Sequence, residues 1–216
     1  MGIGLLLLLT SSAALAQDTT REEFDDTIHV IQEKPVLQKG RFELAPRVGT
    51  SINDSVYRHL KVGANANFHF SERLYLGGLF GWYDLGGTTG AYDQTIDQTS
   101  ASPDAPQVKW VSGLEVGFKP LLGKFALMGS SIIYYDVGLT AGGAYLDGGS
   151  IQNPGGQTFG GMGSVNARFF LNDFTAINFE IRDVIYSATL GNAGDSLSHV
   201  VTFGAGASFY LPFSSN

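Results

Sequence analysis

The chain has 216 residues, 44% of them hydrophobic, so a single folded domain is expected and global disorder is excluded. Its 13 Lys and Arg stand against 20 Asp and Glu, a net charge of −7 that disfavours phosphate backbones and leaves no nucleic-acid partner to expect. Cysteine is absent, which removes disulfides and thiolate metal sites and leaves packing or a membrane to supply stability.

Residues 1–16 read as a signal peptide. Leu5 to Leu9 form an apolar run, and small residues then lead to Ala14, Leu15 and Ala16 before Gln17, an A-x-A cleavage pattern that departs from the norm only in lacking Lys or Arg near Met1. The run falls short of the roughly 20 residues a membrane helix needs, and no second such run follows. Residues 17–40 are polar and charged, with Arg21, Glu22, Glu23, Asp25 and Asp26 in a cluster, and read as a periplasmic N-terminal extension. Within it Ile28, Val30 and Ile31 form a candidate strand for docking a protein partner by strand addition; a plain tether at the barrel mouth is the competing reading.

From Arg41 the pattern changes to apolar and polar residues alternating with period 2, which lets a strand hide one face from the other. Segments of this kind occupy Arg41–Thr50, Leu60–Phe70, Leu74–Tyr83, Val108–Lys119, Phe125–Leu139, Phe159–Phe170, Thr175–Tyr186 and Val201–Phe213. In the second, Leu60, Val62, Ala64, Ala66, Phe68 and Phe70 share one face, and Lys61, Gly63, Asn65, Asn67 and His69 the other. The connections alternate in length: Ser71–Arg73, Leu121–Lys124 and Leu171–Asp173 are short, whereas Asp84–Gln107, Ala144–Gln157 and Ser187–His199 are long. Short periplasmic turns and long outer loops produce this alternation. The expected fold is all-β: an eight-stranded antiparallel transmembrane β-barrel over residues 41–213, in a bacterial outer membrane, both termini periplasmic, among outer-membrane lipids and lipopolysaccharide. Two aromatic girdles are expected, with Trp82, Tyr83, Trp110, Tyr134, Tyr135 and Tyr186 at the loop ends and Phe70, Phe118, Phe125, Phe169, Phe174 and Phe213 at the turn ends. A water-soluble lipocalin-like barrel is the competing fold.

If the apolar faces meet lipid, the opposite faces enclose charges of both signs. Glu43, Arg47, Lys61, Lys109, Glu115, Asp136, Arg168, Glu180 and Arg182 are expected to form an ion-pair network in the lumen, with His69 and Lys119 beside them, because a lone buried charge carries a large desolvation penalty. Eight strands leave too little room for a general diffusion pore. The four histidines are scattered with no triad or zinc spacing, and the glycine pairs lack the Lys and Ser/Thr of a phosphate loop. Asp84, Asp93, Asp97 and Asp104 in one long loop match no calcium motif and read as solvated charge. No catalytic, cofactor-binding or metal-binding residue is therefore expected, nor an enzyme.

The run Gln38–Leu44 containing Arg41, Phe42 and Glu43, the hairpin Asn67–Leu74, and Glu180, Ile181, Arg182 and Asp183 resemble the outer membrane β-barrel domain family of myxobacteria and related δ-proteobacteria. The resemblance covers Ile28 to Phe213. Some barrels of that kind are similar to gliding-motility components, which implies coupling to periplasmic or outer-membrane protein partners. Glu43, Glu180, Arg182 and Asp183 fall on that family's recurring positions and are implied to pair internally rather than catalyse. Asp183 is out of phase with its strand, so a bulge or a place near the outer rim is expected. The function expected is a structural or protein-interaction role in the cell envelope, in a gliding-motility or other envelope-spanning complex. A small-solute or gated channel is the alternative, and a barrel lipid-modifying enzyme or protease ranks behind both.

Overall fold

Period-2 alternation places every second side chain on one face, and closing the sheet gives the two faces different solvents. The computed structural model describes residues 37–127, 131–189 and 195–211, all within one compact unit, Lys34–Asn216. The signal peptide, His29, Phe213 and the docking strand of Ile28, Val30 and Ile31 lie outside the described residues.

The wall is made by β1 (Phe42–Ser51), β3 (Leu60–His69), β4 (Leu74–Trp82), β6 (Pro106–Leu127), β7 (Ser131–Ser150), β8 (Gln157–Asn172), β9 (Thr175–Thr189) and β10 (Asp195–Leu211). All are antiparallel to their neighbours, and β1 pairs with both β3 and β10, closing an eight-stranded barrel. The short strands β2 (Tyr57–Arg58) and β5 (Gly87–Thr88) pair across the loop end, and helix α1 (Gly90–Thr99) stands in the longest loop.

Burial is inverted relative to a water-soluble protein. Leu114 is 68% exposed and Val48 63%, with Leu44, Val62, Leu76, Phe80, Val116 and Ile181 also exposed, while Glu43, Lys119, Asp136 and Arg168 are fully buried. A continuous apolar outer face around a charged interior is the arrangement of a membrane-spanning barrel: closure leaves no unpaired sheet edge in lipid, and the outer side chains meet hydrocarbon.

The strands are longer than the alternation predicts. The segment Leu121–Lys124 is not a turn: β6 runs through it to Leu127, pairing Leu121 with Val137 and Phe125 with Ile133. A bulge between Phe118 and Leu121 absorbs Pro120, whose missing N–H is tolerated where the ladder is interrupted. The Arg73 Nη1 atom then donates to the Pro120 carbonyl at 3.1 Å. Tyr134 and Tyr135 consequently pair with Phe170 and Phe169 at the turn end, not the loop end. At the opposite end, β7 continues to Ser150 and β9 to Thr189, shortening the expected loops.

The aromatic surface is correspondingly rearranged. Phe80, Trp110, Tyr145 and Phe159 form a contact chain near the loop end with centroid separations of 6.5, 5.6 and 4.9 Å. Phe125, Tyr135, Phe169, Phe179 and Phe203 form another, rising from the turn end toward the middle of β10. Tyr83 and Tyr186 belong to neither, because both point into the barrel and are buried.

Small residues make room for inward rings, that of the buried Tyr75 among them. A Cβ on Gly117 would fall within the Tyr75 ring, whereas one on Gly143 meets nothing within 4 Å. Gly117→Ala is expected to destabilise the barrel by about 1–3 kcal/mol, the usual cost of overpacking, with Gly143→Ala near neutral; urea unfolding in lipid followed by tryptophan fluorescence measures both.

Candidate functional site

The lumen is stacked in layers. At the turn end Phe170, Ala176 and Tyr210 pack together with Tyr134; at the loop end Leu79, Tyr83, Val108, Val111, Leu146, Met162, Val184, Tyr186 and Val200 form a larger apolar cluster. Charged side chains fill the space between. Inward positions near the loop end carry Val, Leu and Tyr, so an apolar layer lies outside the charged one.

Glu43 lies at the centre of the layer nearest the turns. Its Oε1 accepts from Arg168 Nε at 3.1 Å and Ser208 Oγ at 2.6 Å, and its Oε2 accepts from Asn67 Nδ2 at 3.0 Å and His69 Nε2 at 2.9 Å. Four donors saturate the carboxylate. Lys119 Nζ lies 3.2 Å from His69 Nδ1, so the lysine donates to that nitrogen and the imidazole proton sits on Nε2, facing Glu43. Arg168 Nη1 donates to Asp136 Oδ1 at 3.1 Å, with Lys119 3.6 Å from the same carboxylate. Both cations also lie over the Tyr75 ring, at 5.4 Å for Lys119 and 5.0 Å for Arg168.

Glu180 organises the second layer. Arg182, two residues on and therefore on the same strand face, grips it through Nε at 2.9 Å and Nη2 at 2.8 Å, a bidentate pair. Arg47 bonds the same carboxylate from β1, and Lys61 lies 3.6 Å away. Arg182 also donates to Glu115 at 2.7 Å, and Glu115 takes further bonds from Asn65 at 3.1 Å and Thr140 at 3.0 Å. The layers are joined: Arg47 Nε donates to Asn178, Asn178 to Ser208, and Ser208 to Glu43, at 3.0, 2.8 and 2.6 Å.

The structure thus brings together Glu43, Arg47, Lys61, Glu115, Asp136, Arg168, Glu180 and Arg182, with His69 and Lys119. Lys109 stands apart. A bulge between Val108 and Trp110 takes it out of the inward register; it is half-buried and forms no ion pair among the described residues. Asp183 faces outward near the middle of β9, with an unbroken register through it and 3.4 Å from His199, so neither the bulge nor the rim position expected for it is found.

Sequence reasoning missed Gln38, which precedes the first strand and carries no periodic signal. Its side chain enters the turn-end mouth, where Nε2 donates to Asp136 at 2.9 Å and Oε1 accepts from Lys119. The backbone N–H groups of Gln38 and Lys39 are held by the Glu72 carboxylate at 3.0 Å each. Gly40, at φ 76°, turns the chain from this cork into β1, a conformation that favours glycine.

No family model matches the chain, and no curated protein matches it. Among solved structures it is similar to the outer membrane protein OprG of Pseudomonas aeruginosa, at 9% identity and TM-score 0.46, covering 82% of this chain and 99% of that one. It is also similar to Neisserial surface protein A, at 10% identity and TM-score 0.39 over 78% of this chain and 94% of that one. The attachment invasion locus protein Ail of Yersinia pestis compares at 12% identity and TM-score 0.39, over 80% and 99%.

Because each buried charge is held by several partners, deleting one leaves the others uncompensated. Arg168→Met is expected to cost about 3–5 kcal/mol by stranding Glu43 and Asp136. Adding Asp136→Asn is expected to recover part of that loss, so that a double-mutant cycle by urea unfolding reads a nonzero coupling.

Proposed function

We propose that this chain is an integral protein of a bacterial outer membrane with a structural or protein-interaction role in the envelope, not a pore. The observation that carries this reading is the filled lumen: two linked ion-pair layers, corked by Gln38, lie between an apolar layer at each end. A channel would need Glu43, Arg47, Glu115, Arg168, Glu180 and Arg182 out of the way, and their bonds reach across the barrel between β1, β6, β8 and β9. Opening it would break several charge-assisted bonds at once, each costly to leave unmade.

In this reading the turn end faces the periplasm and the loop end the outside, lipid and lipopolysaccharide surround the wall, and the extension offers Ile28, Val30 and Ile31 to a protein partner. The finer assignment, to a gliding-motility or other envelope-spanning complex, is carried by the sequence resemblance alone. Purified protein in planar bilayers is expected to give no unitary current steps; stable steps from the wild-type chain would overturn the reading. Pull-downs from solubilised outer membranes are expected to lose a defined partner when residues 17–36 are removed, a truncation that leaves Gln38 in place.

A further inference from the structure

At the turn end one hairpin outruns the wall. The last rung joining β4 to β6 is Leu74 with Phe118, and β6 then continues to Leu127 with only β7 beside it among the described residues. On the other side of that hairpin β8 pairs with β7 as far as Phe170 opposite Tyr134 and no further. Past the closed barrel the two strands therefore form a ribbon, and the β6 backbone over residues 121–127 is an open sheet edge. Such an edge carries unmatched N–H and C=O groups and is a template for one more strand.

The ribbon is apolar on both faces. Leu122 stands opposite the lumen residue Asp136, so Leu122, Lys124 and Ala126 continue the inward face, while Leu121 and Phe125 continue the face that meets lipid higher on the wall. The inward face has no lipid beside it, and there Leu122 is 44% exposed and Ile132, opposite Ala126, 41%.

Two cations flank the edge. Arg73 Nη1 donates to the Lys119 carbonyl at 3.4 Å and the Pro120 carbonyl at 3.1 Å, at the root of the edge, and Lys124 stands within it. Both are exposed, and neither is ion-paired among the described residues. These charges select the occupant. A second copy in the same membrane would run its β6 in the same direction at the same height, setting Lys124 against Lys124, and like charges directly opposite are destabilising. A strand carrying Asp or Glu gains where that copy is repelled.

We propose that the open edge of β6 docks an extended, acidic segment of a periplasmic protein by strand addition. Its main chain pairs with residues 121–127, its carboxylates meet Lys124 and Arg73, and its apolar side chains extend the face begun by Leu122. Backbone bonds supply the affinity and alternate side chains the selectivity. This rests on the reading of the chain as an interaction component whose turn end lies in the periplasm.

Fluorescence anisotropy on the full mature barrel in nanodiscs, with empty nanodiscs as the blank, tests the docking. The probe is a labelled peptide of Val and Thr with Glu at two positions as far apart as Pro120 and Lys124. Saturable binding is expected, about tenfold or more weaker with Lys in place of Glu, and abolished by methylating alternate backbone nitrogens in one phase but not the other. Lys124→Glu, checked for the heat-modifiable gel mobility of a folded barrel, is expected to reverse the order of the Glu and Lys peptides. No saturable binding, equal binding of the two peptides, indifference to methylation in either phase, or an unchanged order in folded Lys124→Glu would overturn the proposal. So would binding that appears only once residues 17–36 are removed, since the chain's own extension would then be the occupant. The chain has no cysteine, so Lys124→Cys supplies a single thiol for a membrane-impermeant maleimide. Labelling is expected only after the outer membrane is permeabilised. Labelling in intact cells would overturn the periplasmic reading itself, whereas absent peptide binding with periplasmic labelling overturns the docking site alone.

Discussion

A charge inside an eight-stranded barrel has little water to fall back on, and satisfying such charges governs how this molecule is built. The wall itself demands little of sequence beyond apolar residues on its outer face, since lipid accepts Leu, Val, Ile and Phe alike. The lumen is different. Four carboxylates, Glu43, Glu115, Asp136 and Glu180, meet five cations, Arg47, Lys61, Lys119, Arg168 and Arg182, and the remaining lone pairs are taken by Asn, Ser, Thr and His side chains from across the sheet. Each bond between strands fixes their relative height, so the network holds register as well as neutralising charge. Sliding one strand by a single residue would turn its charges into lipid.

The apolar layers at the two ends follow from the same constraint. Charge-assisted bonds strengthen where water is excluded and weaken where it enters. Phe170 and Tyr210 on one side, and the larger cluster around Tyr83, Leu146 and Tyr186 on the other, keep the ion pairs between them dry. At the turn end that seal is incomplete near Asp136 and Lys119, the place where Gln38 enters and bonds both. A segment outside the wall thus completes the packing inside it.

How much of this was readable depended on whether lipid imposed a pattern. Where the outer face meets hydrocarbon, alternation is strict, and Leu60 to Phe68 showed both the strand and the inward placement of Lys61, Asn65 and Asn67. Past the membrane the backbone keeps pairing but nothing demands an apolar side. The stretch from Ala144 to Ser150 therefore looked like loop although it is the end of β7. Pro120 and Gly123 imitated a turn because a bulge is invisible to period counting, and the bulge at Lys109 removed one expected member from the network for the same reason. Alternation said which face Tyr83 and Tyr186 occupy; weighting aromatic identity over phase put them on the wrong side of the wall.

A solid interior moves function to the ends of the barrel. The two ends differ in how their polar groups are satisfied. At the turn end Gln38, Glu72 and Arg73 close on carbonyls, amides and charges of the barrel itself, leaving that mouth internally matched. At the loop end Asn53 ties the first loop to the His199 carbonyl of β10, and His59 accepts the Val108 N–H of β6. The ion-paired lumen anchors the strands whose ends carry the loops, so the network that fills the barrel also holds its outer end in one shape.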